Sequence, residues 1–121
     1  MRALNPPDCT TVRAELRALL HTAGWPPDTI SDAELAFQEL FVNAWQHGRS
    51  PAPGVLVSLL STTLRVAVCD NCPLLPDPPT PTDPYATSGR GLHLVRALTH
   101  RFGAHPTKTG KVTWFELDVA A

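Results

Sequence analysis

The chain predicts an α+β fold, a two-layer α/β sandwich with helices on one face of a mostly antiparallel sheet. Three observations carry this. Two N-terminal stretches repeat apolar residues at helical spacing. Residues 55–60 and 64–70 are short apolar runs joined by the turn Ser61-Thr62-Thr63, which reads as a hairpin. Residues 73–84 then hold six of the 13 prolines, so this stretch is an exposed loop and neither helix nor central strand.

The first helix is expected over about residues 9–23, capped by Asp8, with Val12, Leu16, Leu19 and Leu20 as its buried stripe. Gly24, Pro26 and Pro27 end it. Ser31 and Glu34 form a capping box for a second helix over residues 32–47, stopped by Gly48 and Pro51. Ala33, Phe37, Leu40, Phe41 and Ala44 face its core side, which leaves Glu39 and Asn43 toward another edge. After the hairpin and the proline-rich loop, Gly89-Arg90-Gly91 opens a third helix over residues 92–101. It buries Leu92, Val95, Leu98 and Phe102 and closes at Gly103. Residues 111–119 alternate as a last strand, with Val112, Trp114, Phe115 and Leu117 as its apolar members. A first edge strand, if there is one, has to come from residues 2–5.

With 121 residues, 43% of them hydrophobic, the chain fits a single domain over residues 1–121 with one core. A net charge of −1 leaves no electrostatic footprint for nucleic acid or an anionic membrane. No run approaches the roughly 18 apolar residues of a membrane span, and the first ten residues lack a signal-peptide core. A cytoplasmic protein with reduced cysteines is the expectation. Cys69 and Cys72 form a CxxC, but it runs into Pro73 where a redox motif opens a helix, and no second ligand pair completes a zinc site.

The chemistry concentrates in four segments. In ELFVNAWQHG, residues Glu39, Asn43 and His47 stand at i, i+4 and i+8, along one helix face. A carboxylate there can take a proton or orient a water, and an amide oxygen is a hard ligand for Mg²⁺. On spacing alone, a solvated polar stripe is the commoner meaning of such a pattern. Gly89-Arg90-Gly91-Leu92 places glycines and free N–H groups at a helix start, which suits a phosphate, with Arg90 adding a charge-assisted contact. A plain loop exit has the same composition. Asp70 ends an apolar strand and points into the following loop, where its carboxylate can accept from an exocyclic amine or from its own turn. Thr113 is an ordinary strand residue unless a ligand lies beside it.

In this order, the four segments resemble the GHKL (Bergerat-fold, histidine-kinase-like) ATPases, most closely the small anti-sigma-factor serine kinases of actinomycetes. ELFVNAWQHG resembles that family's N-box, VCDNCPLLP its first glycine box, SGRGLHLVRAL its second and GKVTWFELDV its closing strand, so the likeness spans about residues 7–119. The resemblance implies that Asn43 binds the Mg²⁺ bridging the ATP phosphates and that Glu39 is the general base on a serine hydroxyl or orients a water. It implies that Asp70 reads the adenine amine, with Thr113 assisting through water. Gly89, Arg90, Gly91 and Leu92 would wrap the phosphates, and residues 73–88 would be the ATP lid. His47 becomes the end of the N-box helix.

The match departs from the pattern at Cys72, which stands beside the adenine-binding position where glycine is usual. The lid also carries no Lys or Arg between Arg65 and Arg90, so neutralising a γ-phosphate rests on Arg90 and the metal. Two functions follow. One is an ATP-dependent serine/threonine kinase that phosphorylates a STAS-type antagonist and otherwise holds a sigma factor. The other is a non-catalytic nucleotide- or partner-binding regulatory module with a degenerate ATP site. Thiol or metal chemistry at Cys69 and Cys72 is a third, minor reading. Monomer and homodimer are both open.

Overall fold

The computed structural model describes residues 9–46, 53–70, 87–108 and 110–119; for Gln46 and residues 87–92 it describes the backbone path alone. Helices α1 (Thr10–Thr22) and α2 (Pro27–Gln46) precede strands β1 (Gly54–Leu60) and β2 (Thr63–Asp70). Helix α3 (Thr87–Leu98) and strands β3 (Arg101–Pro106) and β4 (Lys111–Asp118) follow. The four strands form one antiparallel sheet in the order β1-β2-β4-β3.

Helix α1 starts at Thr10 without a side-chain cap from Cys9, and Asp8 lies outside the described residues. It ends in a Schellman motif. Trp25 donates its N–H to the Leu20 carbonyl and Gly24 to that of His21, with Gly24 at φ 80°. Glycine is needed there because a Cβ disfavours that backbone region. Pro26 and Pro27 do more than stop α1. The Pro26 carbonyl accepts from Ile30 N–H and Pro27 is the first residue of α2, where its missing N–H costs nothing. Helix α2 therefore begins five residues before the expected Asp32, and Ser31 and Glu34 lie inside it instead of forming a capping box. Glu34 turns to α1, 3.6 Å from Arg17 Nε and 3.9 Å from Arg13 Nε.

The core lies between the helices and one face of the sheet. Leu16 and Leu20 of α1, Ile30, Ala33, Ala36, Phe37, Leu40, Phe41 and Ala44 of α2, and Val95 of α3 meet Leu64, Val66 and Val68 of β2 and Phe115 and Leu117 of β4. Period-two alternation sends Leu64, Val66 and Val68 inward, and the β2–β4 register sets them opposite Leu117, Phe115 and Thr113. Helix α2 packs across β2 and β4 and against α1 and α3. The hairpin turn is Ser61-Thr62, with Ser61 at φ 56°.

The third helix differs from expectation at both ends. It runs from Thr87 to Leu98, so Gly89, Arg90, Gly91 and Leu92 lie in its first turns and not before them, and Thr87 and Ser88 belong to it and not to the loop. The Thr99 hydroxyl donates to the Val95 carbonyl at 2.7 Å as the helix ends, and the chain turns into β3. Phe102 and Gly103 are strand residues, not a helix end. Phe102 packs on the core beside its register partner Phe115.

Candidate functional site

In a sandwich of this kind the inner faces of β2 and β4 are apolar, so polar side chains buried among them need a reason. Among the described residues the buried polar side chains are Asn43, Asp70, Lys111 and Thr113. Three of these are residues that the sequence singles out. The fourth, Lys111, is not.

Strand alternation places Asp70 on the same side as Val66 and Val68, facing the helical layer, and not out into the loop. The antiparallel register sets it directly opposite Lys111, and Thr113 is two residues further along the same face of β4. Lys111 Nζ lies 2.8 Å from Asp70 Oδ2, and the two side chains are 3% and 1% exposed. That is a charge-assisted contact in a water-poor setting. The adenine-reading carboxylate implied by the sequence therefore has a cation beside it.

Asn43 comes from α2, the helix lying over β2 and β4. The residue is 9% exposed and belongs to the buried stripe that includes Ala33, Ala36 and Leu40, at helical spacing. It does not turn to a separate edge. Glu39, one turn earlier, is half-buried. Neither side chain makes a hydrogen bond or ion pair with another described residue. A buried amide without a partner among the described residues fits a metal ligand, and its oxygen has the hardness Mg²⁺ selects. No group of three or more His, Cys, Asp or Glu side chains that could hold a metal occurs among the described residues.

Gly89 and Arg90 lie in the first turn of α3, where N–H groups lack intrahelical acceptors, and Gly91 and Leu92 follow in the next turn. His47, Cys72 and the loop up to residue 86 lie outside the described residues. Cys69 is a free, half-buried thiol on β2.

A family model for the histidine kinase-like ATPase domain matches residues 3–117. The chain belongs to that family. A solved relative, the histidine kinase domain from the Erythrobacter litoralis EL346 blue-light activated histidine kinase, superposes with a TM-score of 0.60 at 19% identity. The match covers 97% of this chain and 65% of that one, so this chain spans less than two thirds of its length. At that identity the likeness is one of fold, and the sandwich described above is the GHKL α/β sandwich. No curated protein matches the chain. No described helix is long and apolar enough to cross a membrane.

Sequence reasoning passed over Lys111 because a lysine opening a terminal strand is ordinarily a solvated end. The available signal was its pairing: once β2 and β4 are neighbours, residues 70 and 111 oppose each other and their charges are complementary.

Proposed function

We propose that residues 1–121 form one ATP-binding regulatory unit, a serine/threonine kinase of the anti-sigma-factor type that uses Mg-ATP. The single observation supporting the nucleotide reading is the burial of Asn43, Asp70 and Thr113 in an otherwise apolar interlayer, on elements of a histidine kinase-like ATPase domain. Asn43 would hold the metal, which supplies charge neutralisation to the phosphates when bound. Asp70 and Thr113 would hold the base, and the backbone of residues 89–92 the phosphates. Glu39 would accept the proton of a serine hydroxyl as its oxygen bonds to the γ-phosphorus and the bond to the ADP oxygen breaks. The phosphoacceptor is a serine of a STAS-type antagonist, the partner in the alternate state is a sigma factor, and the setting is the cytoplasm.

Mg-ATP at millimolar concentration should raise the melting temperature of the wild type, and Asn43→Ala should remove that shift while leaving the apo protein folded. Glu39→Ala should bind Mg-ATP and fail to label a STAS substrate. No shift for the wild type would end the nucleotide reading. Cys72, in place of the usual glycine, supports a second reading as a non-catalytic module with a degenerate site. In that case Cys72→Gly raises ATP affinity while the wild type captures its partner without turnover.

A further inference from the structure

We propose that Lys111 is a positioning residue for base selection: it fixes the Asp70 carboxylate so that the site accepts a purine bearing an exocyclic amine and rejects one bearing a carbonyl at the same place. The inference rests on the ATP-binding reading above and adds to it a residue and a selectivity.

The argument starts from register. Asp70 is the last residue of β2 and Lys111 the first of β4, and they are direct cross-strand partners on the sheet face that carries Val68, Thr113 and Phe115. Strand pairing fixes both Cα positions, and the 2.8 Å contact from Nζ fixes Oδ2. At 1% exposure Asp70 lacks the water that ordinarily stabilises a carboxylate, so a neighbouring cation does that work. An ionised carboxylate is acceptor-only, with about four lone-pair sites, so one ammonium on Oδ2 is compatible with a further N–H donor. An amine on a purine ring supplies such a donor. A ring carbonyl instead sets an acceptor against an acceptor, which is the arrangement a polar site discriminates against most strongly.

Without Lys111 the 2.8 Å contact that fixes Oδ2 is lost, the carboxyl can turn about its Cβ–Cγ bond, and selection between the two substituents weakens. A purely structural ion pair would behave differently, because its loss would loosen the sheet end and weaken every ligand alike.

The test is calorimetric titration of wild type, Lys111→Met and Lys111→Gln with ATP, inosine triphosphate and inorganic tripolyphosphate, all with Mg²⁺. The wild type should prefer ATP over inosine triphosphate by at least about tenfold. Lys111→Met should bring that ratio to within about threefold while leaving tripolyphosphate affinity within about twofold. Lys111→Gln, which keeps an N–H donor without the charge, should fall between. Retention of the full ratio in Lys111→Met overturns the proposal, as does an equal loss for all three ligands. If Lys111→Met does not fold, Lys111→Gln decides, and an unchanged ratio overturns it. A wild type that binds ATP and inosine triphosphate equally defeats base selection but leaves ATP binding standing. A wild type that binds none of the three defeats the ATP reading and this inference with it.

Discussion

Gly103 lies under the indole of Trp114, its direct partner across β3 and β4, so close that a Cβ built on Gly103 would sit 2.8 Å from Cζ2 and 3.0 Å from Cε2. The Arg65 guanidinium is 4.4 Å from the centroid of the same ring, which limits how far the indole can shift. Gly103→Ala should therefore destabilise by about 1–3 kcal/mol, the range for overpacking a filled site. Trp114→Leu in the same background should recover part of the loss. Urea unfolding of both variants checks this, and an unchanged midpoint for Gly103→Ala would show that the ring moves freely.

That glycine also explains what the sequence hid. Leu92, Val95, Leu98 and Phe102 keep helical spacing, and Gly103 follows as a helix stop should, so periodicity carries the helix through what is strand β3. A six-residue strand with a glycine and a terminal proline has little propensity of its own, and it is held by pairing with β4. The hairpin, the last strand and the stripe of α2 were legible because burial on one face imposes a period. Asp70 was legible as a candidate from its place at a strand end, and Thr113 only through the resemblance of its segment to the family's closing strand. Lys111 was not, because its significance arises only when two strands distant in sequence become neighbours.

On the outer face of the sheet Arg101 spans two carboxylates, with Nε 2.6 Å from Glu116 Oε1 and Nη2 2.6 Å from Asp118 Oδ1. Its hydrogen bonds are the leading reason that both carboxyls titrate below their ordinary values; Arg65 adds to the effect on Glu116, and the Thr63 hydroxyl to that on Asp118. A carboxyl depressed in the folded state stabilises the fold fully above its unfolded value, near pH 4, and loses that contribution as pH falls through the folded value. Melting temperature should thus drop between about pH 5 and pH 2, and Arg101→Met should flatten part of the drop. Because these side chains are partly exposed, added salt should weaken the difference between the two proteins. Parallel pH profiles for wild type and variant would contradict the assignment.

Phe37 is fully buried on α2 and meets Phe41 with ring centroids 5.7 Å apart. It belongs to the core cluster between the helices and the sheet, so its removal opens a cavity there. Phe37→Ala should cost about 3–5 kcal/mol and Phe37→Leu markedly less. Thermal unfolding separates the two, and equal losses would mean that aromatic contact, and not volume, sets the value.

The Asp70–Lys111 pair lends itself to a double-mutant cycle on stability, independent of any ligand. Two opposite charges at 1% and 3% exposure compensate each other's lost hydration, so removing one leaves the other stranded. Lys111→Met and Asp70→Asn should each destabilise by about 3–5 kcal/mol when made alone. Made together, they replace the ion pair with neutral groups of similar size, and the double variant should be far more stable than the sum of the single losses implies. Chemical denaturation of the four proteins measures the coupling. Additive losses would show that the two charges are compensated by other groups, and the 2.8 Å contact would then be incidental to the stability of this end of the sheet.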